Sequence, residues 1–418
     1  MSAMVCFECI ISLVSIKEFS HLVNTRGRKR LVIYALLASL LNTTLVIASL
    51  TLHSFLLLML AVVSIGSLGP FLFNLAWQNY IIDLLPEDKM HKRAGWFAVQ
   101  RGMAGLATAV STGGGGWIAN RTGLLTFPLW IALAVQSLNL LLVLATVRES
   151  LTDEAKAELK LQRKEEEKEG STGFKEGYKR AKRLLFPPDA AGRARRQRSY
   201  ALLGCGAAYF LSLLVVGFFN QMLMLFTTGR LHYSEKDLGF LLAYYLGIQS
   251  IYSILIFPPL SSYGRRLFSG MRRSTPPTTP SITTPLLSEA PSSSPGPNHF
   301  DLLFSSLSFA LNSGGIFLIG LSKSWVGLLV GLAMAGLSSG AAPSIQAFMT
   351  QLVKRTDSLI QGFAVLDAIG LTISPIILGS VYSATLDSAP NFSWFLSAGI
   401  YAAAALVLAV ARRKNVSS

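Results

Sequence analysis

Apolar residues run in eleven long blocks, at 1–20, 31–52, 54–84, 95–119, 125–147, 199–227, 238–260, 301–322, 325–352, 360–383 and 393–412. Polar or charged connections separate them. A bilayer core of about 30 Å is crossed by about 20 apolar residues in helix. One such block is compatible with a buried core helix. Eleven in succession predict an all-α polytopic membrane protein with eleven transmembrane helices. Its chemistry is then expected in polar groups inside the membrane and in the connections that hold the moving parts.

The blocks fall into five and then six, divided by 148–198. That stretch opens with mixed charges, EAKAELKLQRKEEEKE, whose spacing of Glu and Lys suits a solvated helix. It ends basic, with YKRAKRL and RARRQR, which fits either a partner site or a linker skirting the membrane. The predicted organisation is an N-terminal bundle over 1–147, a charged cytoplasmic linker over 148–198, and a C-terminal bundle over 199–418. Within the last, 269–300 is rich in Pro, Ser and Thr and poor in charge, and is expected to be disordered.

Charged residues make up 14% of the chain, against about 25% in soluble domains. The formal charge of +15 invites a nucleic-acid reading, which its placement argues against. Alternate connections carry Arg26, Arg28, Lys29 and Arg30; Lys89, Lys92 and Arg93; Arg265, Arg266, Arg272 and Arg273; Lys354 and Arg355; and Arg412, Arg413 and Lys414. The opposite side carries only Arg121, Arg230, Lys236 and Lys323. This asymmetry makes the first set cytoplasmic, where anionic lipid is an expected contact. The C-terminus is then inside and the N-terminus outside. Residues 1–20 lack the positive n-region of a cleaved signal and read as a span. The linker and the Pro/Ser/Thr stretch both face the cytoplasm in this topology. Cysteines introduced as Ser171→Cys and Ser292→Cys are expected to resist an impermeant thiol reagent in intact cells, and labelling of either contradicts the topology.

Three cysteines are present, Cys6, Cys9 and Cys205. The C-x-x-C pair lies in an apolar block with no second pair and no nearby His, so packing is the better reading than redox or metal chemistry. The glycine run at 113–116 lacks the Lys-Ser/Thr of a phosphate loop and suits close helix packing instead. No ATP site, metal cluster or nucleophile–base pair stands out. No cofactor and no enzymatic activity are predicted.

The basic stretch GRKR at 27–30 follows the first block, and YGRR at 263–266 follows the second block of the later group. Repeated halves are common in secondary transporters. With that echo, SHLVNTRGRK at 20–29 resembles the loop after helix 2 of the major facilitator superfamily. Gly27, Arg28 and Lys29 match the pattern; Asn24, Thr25 and Ser20 replace its acid, first Arg and leading Gly. QNYIIDLLPEDKMHKRAG at 78–95 is similar to the family's turn after helix 4, and Gly102, Gly105 and the run at 113–116 resemble its glycine-rich helix 5, without the usual Gly-Pro. The stretch at 341–383, with Pro343, Gln361, Gly362, Pro375 and Gly379, looks like helices 10 and 11 of fungal members near the proton-coupled folate transporter and haem-carrier-like branch. The resemblance implies two six-helix bundles around a cavity lined by helices 1, 4, 7 and 10, with alternating access by rocking of the halves. On this count the chain begins at helix 2, so five plus six becomes six plus six with the first helix missing.

Ionisable groups at bilayer depth are costly and are functional candidates by default. Glu8 lies a third of the way down the first block, and Asp367 near the inner third of family helix 11. A carboxyl group there must pair, stay protonated or meet water, which makes both candidates for proton coupling. The plain alternatives are exposure at the chain's first helix for Glu8 and a structural hydrogen bond for Asp367. Arg101, in family helix 5, is expected to pair with Asp83 at the inner end of helix 4 as a gate-side ion pair, alongside the gating loop of Gly27, Arg28 and Lys29. For solute contact the candidates are Asn74, Trp77 and Gln78 in helix 4, Asn220 and Gln221 in helix 7, Tyr245 and Gln249 in helix 8, and Gln346 in helix 10. Asn74 and Gln78 lie one turn apart on one face. Interhelical hydrogen bonding is the alternative for each.

Two functional classes follow. The first is a secondary active transporter of a small organic solute, driven by protons since no ATPase module is present. It would act as a monomer in the plasma membrane or a vacuolar or other internal membrane. The second keeps the fold as a sensor, a scaffold or an inactive truncated form, as the replaced acid at Asn24 suggests.

Overall fold

The computed structural model describes residues 27–61, 68–84, 92–124, 126–150, 193–233, 235–272, 299–352 and 356–416. These residues are helical with short connections, and no strand occurs among them. Each predicted block after the first appears as helix. The first block, with Cys6, Cys9 and Glu8, lies outside the described residues, as do most of the charged linker and of the Pro/Ser/Thr stretch.

The N-terminal half holds α1 (Arg28–Thr51), α2 (Phe55–Leu60), α3 (Leu68–Leu84), α4 (Arg93–Thr122) and α5 (Phe127–Thr146). Helix α1 packs on α3 and α5. The C-terminal half opens with α6 (Arg193–Leu231), whose first turns extend into the stretch predicted as linker. It continues through α7 (Glu235–Ile251), a π-turn (Tyr252–Ile256), α8 (Phe257–Arg272), α9 (His299–Leu321), α10 (Trp325–Leu337), α11 (Ala341–Leu352), α12 (Thr356–Thr385) and α13 (Phe392–Val416). Eight spans among the described residues are long and apolar enough to cross a membrane. This is a multi-pass integral membrane protein.

Local chemistry sets the helix ends. Ser54 and Ser324 act as N-caps, accepting from the amides of Leu57 and Gly327. Gly123, with φ 66°, ends α4 in the left-handed conformation, and its N–H reaches the Ala119 carbonyl at 2.9 Å. The largest core lies in the C-terminal half, where Tyr209, Phe226 and Trp394 are fully buried among α6, α12 and α13.

Two predicted helices differ from the expectation. The block at 325–352 is broken at 338–340 between α10 and α11, and the block at 238–260 carries the π-turn and runs on to Arg272. The YGRR stretch is therefore helical rather than a loop. Arg265 is buried and pairs with buried Asp301 at 2.9 Å, which ties the end of α8 to the start of α9.

Helices α9 and α10 approach closely at two glycines. A β-carbon at Gly315 would lie 2.8 Å from the Gly331 carbonyl oxygen and 2.9 Å from the Ala335 nitrogen, both backbone atoms that cannot rotate away. Gly315→Ala is expected to destabilise the protein by about 1–3 kcal/mol through overpacking. A thermal melt in detergent checks this, and an unchanged midpoint would mean the helices are not so tightly apposed.

Candidate functional site

The halves meet where α4 runs beside α7, the π-turn, α8 and α11, and where α3 touches α12. Small residues make this approach possible. A β-carbon at Gly102 would lie 2.7 Å from Ile254 Cγ1 and 3.0 Å from Ser253 Cβ, and one at Gly105 would lie 2.7 Å from Ser250 Oγ. Toward the Arg93 end of α4 the seam is apolar. Ala94 and Ala98 of α4 pack with Tyr252, Phe257 and Ala347, and with Phe304 beside them.

Just beyond this seal lies a polar cluster drawn from both halves. Arg101 donates from NH2 to the Tyr209 hydroxyl at 3.1 Å. That hydroxyl donates to Asp367 Oδ1 at 2.7 Å and accepts from Gln346 Nε2 at 3.3 Å. Its single proton and its acceptor capacity are thus used. The Tyr209 ring is fully buried and meets Phe363 edge-on at 5.2 Å. One oxygen therefore joins α4 of the first half to α6, α11 and α12 of the second, with a cation and a carboxyl group both hydrogen-bonded to it.

The expected Arg101–Asp83 pair is not formed. Asp83 Oδ2 instead meets Arg28 Nε at 3.1 Å and accepts from the Ser150 hydroxyl at 3.0 Å. Arg28 is buried, and its backbone N–H reaches Glu149 Oε1 at 2.8 Å. Gly27, with φ 95°, lies against the same carboxylate, so a side chain there would collide with it. Lys29 donates to the Leu144 carbonyl at 3.0 Å. The start of α1, the end of α3 and the residues just after α5 are thereby tied into one latch.

Asn74, Trp77 and Gln78 sit together on α3. Asn74 Oδ1 accepts from Gln78 Nε2 at 3.2 Å and from Gln100 Nε2 of α4 at 2.9 Å. Trp77 is stacked between Phe73 and Tyr80, at 6.0 and 5.8 Å between ring centroids. Gln346 belongs to the Tyr209 cluster. Tyr245 packs against Phe219 of α6 at 5.0 Å, on the core of the C-terminal half. The Gln249 carbonyl lies 3.5 Å from the Ser339 hydroxyl. Asn220 is exposed and Gln221 half-buried, about three turns along α6 from Tyr209. Neither is drawn into the clusters above.

Sequence reasoning missed Tyr209, Gln100, Glu149 and the serines at the helix breaks. Ser253 in the π-turn and Ser339 in the α10–α11 break share a hydrogen bond of 2.9 Å. Both lie near the middle of their spans, Asp237–Phe268 and Trp325–Leu352. Irregular backbone at that depth is tolerated inside protein or beside a water-filled cavity. The available signal for Tyr209 was its hydroxyl in an otherwise apolar block, since a buried phenol needs a partner.

Among solved structures, the human organic anion transporter MFSD10 (TETRAN) superposes with a TM-score of 0.67 at 13% identity, covering 97% of this chain and 83% of that one. The E. coli fucose:proton symporter FucP gives 0.57 at 12% identity, covering 98% of each chain. FucP in the outward conformation gives 0.56 at 13%, again over 98% of each. At these identities the likeness is one of fold: the helices form the two-bundle arrangement of these carriers. A search of curated proteins finds no match. Residues 12–295 match the family model of the Major Facilitator Superfamily. With that match over more than half its length, and with the fold to go with it, the chain belongs to the major facilitator superfamily of transporters.

Proposed function

We propose that this protein is a secondary active transporter that moves a small organic solute by alternating access and couples it to protons through Asp367. The observation that carries the reading is the chain Arg101–Tyr209–Asp367, which spans the two halves through one hydroxyl. With the halves together on the cytoplasmic side, Arg101 and Asp367 offset each other's charge. When the halves part, Arg101 leaves with α4, and Asp367 is left on the C-terminal half in need of water or a proton. Proton binding and opening are then linked, because a ligand shifts a two-state equilibrium only by its difference in affinity between the states. The Arg28–Asp83–Ser150 latch holds the inner ends of the N-terminal half as one body during the movement. Arg30 is exposed beside it, in place to meet anionic lipid.

Asn74 and Gln78 are assigned to the solute pathway, since they bring amides to the middle of the first half near its contact with α12. Uptake into vesicles of purified, reconstituted protein, with and without a pH gradient, tests the reading. An inward proton gradient is expected to drive accumulation, and Asn74→Ala with Gln78→Ala is expected to lower it while leaving the amount of folded protein unchanged. Absence of uptake for every solute class would favour the sensor or scaffold reading. Full uptake by the double variant would return the two amides to a packing role.

A further inference from the structure

Charge is scarce in the middle of the spans. Among the described residues, Arg101 and Asp367 are the charged side chains more than about two turns from either end of their helices, α4 and α12. The Tyr209 hydroxyl holds both, so neither is left over for a charged solute. A charged group brought to this depth without a partner would be costly.

A second polar group lies nearby and is built differently. Gln100 precedes Arg101 on α4 but turns the other way, to Asn74 of α3. Three primary amides meet here, with those of Gln78 and Gln100 both donating to the Asn74 oxygen. Asn74 is ten residues from the inner end of α3, so it sits about 15 Å into the membrane, close to its middle. It is exposed, Gln100 is half-buried and Gln78 is buried. Each primary amide has two N–H donors and a carbonyl acceptor, and only a part of these is used within the triad. Whichever way each amide is turned, the group presents both donors and acceptors and no net charge.

A hydroxyl or amide answers such a surface, because it both gives and takes a hydrogen bond. A carboxylate only accepts, so it would leave the amide carbonyls unanswered while adding an unpaired charge. A quaternary amine offers no donor at all. We propose that Gln100, with Asn74 and Gln78, forms a subsite that recognises an uncharged solute rich in hydroxyl or amide groups, and discriminates against organic anions. This rests on the transporter reading above and adds the chemical class of the solute. Gln100 is the specificity-determining residue, since it alone ties the triad to α4 and so to the moving seam.

The test uses purified full-length protein and a fixed set of probes: glucose, mannitol and N-acetylglucosamine as neutral solutes, succinate and p-aminohippurate as anions, and tetraethylammonium. Binding is read by titration calorimetry, and transport by counterflow in proteoliposomes. At least one neutral probe is expected to bind with a Kd of about 1 mM or tighter. Gln100→Leu, similar in size but without the amide, is expected to weaken that binding about tenfold, the loss of one solute hydrogen bond. Thermal melts of the variant check that it folds, and Gln100→Asn, which restores an amide on a shorter stem, is expected to recover part of the affinity. Binding of the anions with no binding of any neutral probe overturns the subsite while leaving the carrier reading intact. Neutral-probe binding that Gln100→Leu does not change also overturns it. Neutral-probe binding with no counterflow overturns the carrier reading and leaves the subsite standing.

Discussion

Asp367→Asn is expected to abolish pH-driven accumulation while solute exchange at equal pH survives. Asparagine keeps the size of the side chain and can still accept from the Tyr209 hydroxyl, now at 2.7 Å from Asp367 Oδ1. It cannot take up or release a proton. The driven step should fall by about tenfold or more, because losing a proton-linked bias of even 1.4 kcal/mol removes that factor from the distribution of solute. Counterflow at matched pH serves as the internal control, since it needs the two bundles to rock but not a net proton. If accumulation in response to the gradient persists in the variant, Asp367 has a structural role only. Glu8, outside the described residues, would then be the remaining carboxyl candidate.

The second large effect is on stability. Arg101→Leu removes the cation from the cluster around the buried Tyr209 and leaves Asp367 with Tyr209 and no counter-charge. Arg101 and Asp367 are each half-buried and meet through the Tyr209 hydroxyl, so the loss is expected to be about 1–3 kcal/mol, the cost of leaving a partly buried hydrogen-bonded group without its partner. The thermal midpoint of the purified protein should therefore drop clearly with Arg101→Leu. It should recover substantially when Asp367→Asn is added, because the orphaned charge is gone. A recovery of this kind shows that the two side chains act on each other. Equal midpoints for wild type and Arg101→Leu would mean that the guanidinium faces water and carries no load across the seam.

The blocks of apolar residues foretold the helices well because membrane spans are long and leave little freedom in register. The latch residues Arg28 and Asp83 were legible in the sequence, from the basic loop ahead of α1 and the turn after α3. Their pairing was not. Arg101 and Asp83 lie near the inner ends of consecutive spans, which makes them plausible partners in a linear reading. In three dimensions each residue turns about 100° from the last around a helix. Gly102 and Gly105 are pressed against Ser250 and Ile254 of the second half, which aims Arg101 toward α6 and α12 and away from α3. Asp83 was in any case already held by Arg28 and Ser150.

The helix breaks were equally hard to foresee. The π-turn at Tyr252–Ile256 leaves no mark in hydropathy, because Tyr-Ser-Ile-Leu-Ile continues the apolar block unbroken. The break at 338–340 falls in Ser-Ser-Gly ahead of Pro343, a weak helix-ending signal in a span that the length rule alone makes continuous. What fixes both is their contact, the Ser253–Ser339 hydrogen bond and the Phe257 ring against Gly340. Tyr209 and Gln100 were passed over because their importance lies in which neighbours they meet, and sequence spacing within one helix does not reveal a partner on another.

In the proposed coupling, proton binding at Asp367 loosens the seam between the halves on the cytoplasmic side. Ala98→Cys places a thiol in that seal, where Ala98 is now fully buried against the second half. Its rate of labelling by a thiol reagent applied from the cytoplasmic side, in inside-out vesicles, reports opening without any solute. The charged and titratable groups at the seam among the described residues are Arg101, Tyr209, Asp367 and Tyr252, with Arg93 buried next to Ala94, and of these the Asp367 carboxyl group is the one that can take up a proton as the pH falls. Protonation removes the partner of Arg101, so labelling should rise as pH falls. In Asp367→Asn it should be high and independent of pH. Labelling of the Ala98→Cys protein that does not respond to pH, or a pH response that survives Asp367→Asn, would contradict the account.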